Sequence, residues 1–129
     1  MEAFFKRADK MKIVTHTIDD IRIAEVVSAD RVIHGVEDGI DLLGNIYYQD
    51  FDRVILHEQN ITPDFFELKN GMAGEILQKF ANYRVRLAIV GDFSKYNRQS
   101  VQDFIRESNK GRQVNFVSSL AEAVCKLSQ

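Results

Sequence analysis

The spacing of apolar and polar positions changes several times along the 129-residue chain, and each change marks a structural element. Strand-like text runs from Lys12 to Ile18 and from Ile21 to Val27. Asp19-Asp20 separates the two runs and predicts a tight hairpin, without the glycine such turns prefer. Val36, Ile40, Leu43 and Tyr47 then fall at i, i+4, i+7 and i+11, one face of a helix over 36–48. Gly39 and Gly44 weaken that helix by roughly 1 kcal/mol each relative to alanine, so packing must hold it. Arg53 to His57 is a continuous apolar run, as in a strand covered on both faces.

Thr62-Pro63-Asp64 reads as a helix start. Thr62 caps, Pro63 lacks a donor that the first turn leaves unpaired, and Asp64 suits the positive end of the dipole. Phe65, Leu68, Met72, Ile76 and Phe80 continue a helical stripe to Tyr83, with Asn70-Gly71 as the place for a bend or brief interruption. Val85 to Val90 reads as the central buried strand, ending at Gly91-Asp92. Ser100 and Asp103 resemble a capping box opening a helix with Val101, Phe104 and Ile105, and Gly111 is placed to stop it in a left-handed conformation. A short strand, Val114 to Val117, precedes a full capping box at Ser119 and Glu122 and a last helix through Leu127.

The expected fold class is α/β, a single-domain mixed sheet in the order ββαβαβαβα with helices packed on it and right-handed crossovers. Residues 1–11 read as an N-terminal extension, with Phe4, Phe5 and Ala8 on one side of a short amphipathic turn. Residues 12–129 form the one α/β domain, a length that suits a single core.

Composition narrows the partners. A net charge of −2 argues against binding nucleic acid as the main task. No apolar run approaches the roughly 18 residues that span a bilayer. The start MEAFFKRADKMK is too polar for a secretory signal, and the lone Cys125 excludes an internal disulfide, so a cytoplasmic setting is expected. Its neighbours Ala121, Val124 and Leu127 predict a place for Cys125 in the core.

In an open α/β sheet, ligands sit beyond the carboxyl ends of the strands. That places the candidate polar cluster at His57, Glu58 and Asn60 after the third strand and at Asp92 and Ser94 after the fourth, with Ser118-Ser119 after the fifth. His57 with Glu58 or Asp92 has the makings of an acid–base pair acting on a small molecule. The plainer alternative is that polar residues end strands because the chain is leaving the core. His16, His34 and His57 lie too far apart for a metal signature, and no cofactor is implied. Gly71-x-x-Gly74 falls short of a phosphate loop, and close helix packing is its expected role. Arg84, Arg86, Lys110 and Arg112 gather at the opposite edge of the sheet, where charges are usually solvated. Phe65 and Phe66 point about 100° apart on a helix, so one is expected at the surface, where an exposed aromatic marks an interface or a pocket lip.

The runs LHEQNITPDFFELKNGMAGEILQKFANYRVRLAIVGDFSKY and FIRESNKGRQVNFVSSLAEA closely resemble a bacterial family of unknown function, number 4180, from about Lys12 to Leu127. The order of elements is also similar to the STAS domain of anti-sigma-factor antagonists of the SpoIIAA type and to lipid-binding SpoIIAA-like proteins. In that fold the strand-to-helix loop carries a phosphorylatable serine just before a glycine. The local match here is Lys69-Asn70-Gly71-Met72-Ala73-Gly74-Glu75-Ile76-Leu77, with Asn70 or Lys69 at the serine position, and neither can carry phosphate. The resemblance implies a regulatory or protein-interaction module without a phospho-serine switch. It would be oligomeric or bound to a protein partner, with Phe65, Phe66, Asn70 and Gly71 as candidate interaction residues. A small-molecule enzyme and a carrier of an apolar ligand, held between the sheet and the Phe-rich helix, are the alternatives.

Overall fold

A computed structural model describes residues 11–129, and the amphipathic turn expected over 1–10 lies outside them. The observed order is ββαβαβαβα, as expected. Strands β1 (Met11–Ile18) and β2 (Ile21–Ser28) form the hairpin, α1 is Val36–Tyr48, and β3 is Arg53–His57. Helix α2 (Met72–Asn82) leads to β4 (Arg86–Val90), α3 (Gln99–Lys110) to β5 (Val114–Val117), and α4 (Leu120–Leu127) closes the chain. Met11 is the first described residue and the first of β1. Asp19 takes φ 55° in the turn, the left-handed conformation that aspartate tolerates, so the hairpin closes without glycine.

The sheet order is β1-β2-β3-β4-β5, antiparallel between β1 and β2 and parallel thereafter. Parallel neighbours in sequence order, joined by right-handed crossovers, place their connecting helices on one side. The alternation of side chains records this. Ala24, Val26, Val54, Leu56, Leu87, Ile89 and Phe116 share a core with residues of α1, α2 and α3. Their neighbours Ile23, Ile55, Ala88 and Val117 point the other way, to Ala123 and Leu127 of α4.

Several local expectations change. The buried stripe of α1 is Gly39, Leu42, Leu43 and Ile46, rotated from the one expected, and Tyr47 is exposed and packs edge-on against Tyr83. A side chain at Gly39 would meet Ile76 Cδ1 at 2.8 Å, so α1 and α2 approach so closely that Ile76 would have to shift to admit one. The glycine of close helix packing is therefore Gly39 and not Gly74, where an added Cβ meets nothing.

The helix expected from Pro63 to Tyr83 is broken into two 3-10 turns, Pro63–Phe66 and Leu68–Asn70, ahead of α2. Gly71 at φ 78° makes the break, and Asn70 secures it by accepting from Met72 N at 2.8 Å and donating to Asp64 O at 2.8 Å. Helix α3 opens after Arg98 with no side-chain cap, because Asp103 is bonded to Gln99 and Arg106 and not to Ser100. Gly111 ends α3 in extended backbone (φ −102°, ψ −169°), not in the left-handed conformation. The capping bond at Ser119 is present, with Oγ accepting from Glu122 N at 3.1 Å. Cys125 is exposed, because α4 turns Ala123 and Leu127 to the sheet.

Arg86 is not a solvated edge charge. Its guanidinium donates to Lys126 O at 3.0 Å, Gln129 O at 2.8 Å and Arg112 O at 2.9 Å, while Arg53 donates to Leu127 O at 2.7 Å. Two strand arginines thus bond carbonyls at and just beyond the end of α4 and seat that helix over β3, β4 and β5.

Candidate functional site

Helix α4 packs on the β3–β5 part of its face, with Ile23 buried at the margin. The hairpin continues that face outward. Cross-strand pairing of Val14 with Glu25, His16 with Ile23 and Lys12 with Val27 puts all six side chains on the α4 side of the sheet. Val14, Ile18 and Val27 keep 41%, 40% and 38% of their surface exposed, unlike the core residues behind them.

A polar cluster lies among these apolar residues. Glu25, buried in mid-strand, receives His16 Nε2 on Oε1 at 2.7 Å and His57 Nε2 on Oε2 at 2.7 Å. An ionised carboxylate only accepts, so both rings carry their proton on Nε2 and direct Nδ1 elsewhere. Burial raises the Glu25 pKa, but the hydrogen bonds and charges of His16 and His57 outweigh it and hold the carboxyl below its ordinary 4.5. A buried carboxylate costs several kcal/mol unless it is paired and bonded, and here each oxygen has its own donor.

The sign of the pH effect follows. A depressed folded-state pKa stabilises the fold above the unfolded value, and that contribution is lost as pH falls through the folded one. Chemical denaturation should therefore show wild-type stability declining below about pH 4.5 more steeply than that of Glu25→Gln. Parallel curves for the two proteins would show that the carboxylate is not held by its histidines.

The residues expected to form a site separate into independent roles. His57 is bonded to Glu25 rather than to Glu58 or Asp92, because consecutive residues leave a strand toward opposite faces. Glu58 is buried on the α1–α3 side, taking Lys95 Nζ on Oε1 at 2.8 Å and Tyr96 Oη on Oε2 at 2.7 Å. Tyr96 in turn stacks on Phe66, with ring centroids 4.1 Å apart, and burial together with the Glu58 carboxylate pushes its phenol pKa up. Asp92 accepts from Ser94 N at 3.1 Å and Ser94 Oγ at 2.6 Å, a local turn that caps the 3-10 segment Phe93–Lys95. His57, Glu58 and Asp92 line one open depression of about 260 Å³, yet each side chain is bonded elsewhere.

Asn60 clamps two loops together. Its Nδ2 donates to Ser28 O at 2.9 Å and Asp30 O at 2.7 Å, and its backbone carbonyl accepts from Val32 N and Ile33 N. Phe65 and Phe66 are both buried, correcting the expectation that one of them is exposed, since the 3-10 turn directs both into the core. They fill the space between sheet and helices with Phe93 and Phe116, the space an apolar cargo would need. Asn70 and Gly71 serve the start of α2.

Sequence reasoning missed His16 and Glu25. The available signal was a charged residue in the middle of the apolar run Ile23–Val27, with a histidine diagonally across the hairpin on the same face. Among the described residues no group of three or more His, Cys, Asp or Glu is arranged to hold a metal ion, and no helix is long and apolar enough to cross a membrane.

No curated relative matches this chain. A crystal structure of a candidate anti-sigma factor antagonist from Thermotoga maritima is similar over 91% of this chain and 95% of that one, at 13% identity and a TM-score of 0.48. The model of the family described as Domain of unknown function (DUF4180) matches residues 18–127, which run from the end of β1 to the end of α4, and the chain belongs to that family.

Proposed function

We propose that the chain is a protein-interaction module that docks through the β1–β2 half of its sheet. The observation that carries this is the exposure of Val14, Ile18 and Val27 together on one face, beside a sheet edge that no strand pairs with among the described residues. An eight-residue edge strand offers a row of unpaired backbone donors and acceptors, and proteins normally blunt such an edge with charge, proline or a bulge. Strand β1, MKIVTHTI, has only Lys12 as a permanent charge and pairs with β2 in unbroken register. Leaving that edge and its apolar face in water is unfavourable, and covering them with protein is the remedy. The His16–Glu25–His57 cluster stiffens the centre of the surface and supplies its polar contacts.

A phospho-serine switch is not part of the proposal. At the position where the STAS resemblance would have serine, Asn70 uses its amide to cap α2.

The test is purification of the tagged chain from its native cells, followed by native mass measurement of the assembly. Val14→Lys and Val27→Lys should each lower the yield of the complex at least about tenfold, the size of a rim-to-centre interface substitution, while thermal unfolding stays as in wild type. A complex recovered equally well with both lysines, or no complex in any preparation, would overturn the proposal.

A further inference from the structure

We infer that the partner on the β1 edge is a second copy of this chain, paired antiparallel to it about a two-fold axis at His16. This rests on the docking surface proposed above and names its occupant. A strand that pairs with its own copy must keep like faces on the same side, so the axis has to pass through a residue of β1. The candidate axes can then be compared by what they bring together.

With the axis at His16, Val14 lies opposite Ile18 of the partner subunit, and Thr15 lies opposite the partner's Thr17. Lys12 then reaches the turn carboxylate of the partner's Asp20, and the symmetric contact repeats each pair. Apolar meets apolar at Val14, hydroxyl meets hydroxyl at Thr15 and cation meets anion at Lys12, while Ile13 falls opposite the partner's Asp19 at the turn end. With the axis at Thr15, Val14 instead faces the partner's His16 and Lys12 faces the partner's Ile18. With the axis at Val14, Lys12 is set against the partner's His16. Of these three axes, the one at His16 alone sets Lys12 opposite a carboxylate and Val14 opposite an aliphatic residue.

The backbone agrees with that choice. Counted from the two-residue turn at Asp19-Asp20, the alternation of an antiparallel ladder turns the N–H and C=O groups of Met11, Ile13, Thr15 and Thr17 toward the open edge. These are the groups a second β1 would bond. His16 then occupies a non-hydrogen-bonded pair, the position where opposite side chains come closest. Each His16 ring is already tied inward to its own Glu25, so two ordered rings meet at the axis. Joining two β1 edges gives one continuous ten-stranded sheet and removes the β1 edge of each copy, leaving β5 at both ends.

The experiment uses the full chain with Cys125→Ser, so that introduced cysteines are the only thiols. Sedimentation equilibrium should give twice the 14.8 kDa chain mass, falling toward the monomer on dilution. Under mild oxidation, His16→Cys should link into a covalent dimer, and so should Val14→Cys/Ile18→Cys, which leaves the histidine cluster intact. Both should link at least about tenfold faster than Thr15→Cys, whose diagonal neighbours stand about 7–8 Å apart, beyond disulfide reach. A monomer at every concentration, or a dimer linked fastest through Thr15→Cys, would overturn the inference. If the purified chain is monomeric while Val14→Lys and Val27→Lys still abolish the cellular complex, the docking surface stands and its occupant is a different protein. If neither effect is seen, both proposals fail.

Discussion

Replacing Phe66 by alanine should cost about 3–5 kcal/mol of folding stability, the range for deleting a buried aromatic ring. The whole fold of a small domain is worth about 5–15 kcal/mol, so this one change removes a large fraction of it. Phe66 stacks on Tyr96 and touches Phe65, Phe93 and Phe116, joining its own turn to the β4–α3 connection and to strand β5. Its loss opens a cavity that those rings cannot all collapse into, because Tyr96 is also held by Glu58 and Phe93 lies in the same short turn. Thermal unfolding should fall by roughly 10–20 °C, and Phe66→Leu, which keeps part of the volume, should lose less. A loss below about 1 kcal/mol would mean that the ring is not central to the core.

The second large effect is expected at Gly91. A Cβ there would stand 2.5 Å from Glu58 Cβ and 3.2 Å from its Cγ, both near the backbone end of that side chain and unable to swing aside. Glu58 is in turn fixed by Lys95 and Tyr96. Gly91→Ala must therefore push the end of β4 away from the turn at Glu58, and overpacking of this kind costs about 1–3 kcal/mol. The distinguishing outcome is partial rescue by Glu58→Gly, which removes both clashing atoms along with the ion pair. Gly91→Ala and Glu58→Gly that simply add would refute the steric account.

The β-strands and most helices were legible because their signals are local: period two in the hairpin, apolar runs at β3 and β4, and the serine cap before α4. The errors came where a three-dimensional neighbour decided the outcome. The stripe of α1 was rotated because Gly39, not a large residue, meets Ile76. The segment after Pro63 gave up a continuous helix to bury Phe65 and Phe66 side by side. Arg86 looked like a solvated charge because the carbonyls it holds belong to a helix some 40 residues later.

The candidate site was half legible for the same reason. The hairpin register places Glu25 and His16 on one face from sequence alone, but His57 joins them only through the parallel pairing of β2 with β3, which leaves no local trace. Glu58, Asn60, Asp92 and Ser94 lie just beyond the ends of β3 and β4. Their chemistry turned out to be loop closure and an internal ion pair.

If the β1–β2 half of the sheet is where this protein meets another, a probe placed there must contact the partner in the cell. The most direct measurement places a photo-reactive benzophenone side chain at Val14, at Val27 or at Tyr48 and irradiates living cells. Val14 and Val27 mark the proposed surface, whereas Tyr48 is 89% exposed at the end of α1 on the other side of the sheet. Adducts should form from Val14 and Val27 and not from Tyr48. Equal adducts at all three positions, or adducts from Tyr48 alone, would contradict a docking surface on that half of the sheet.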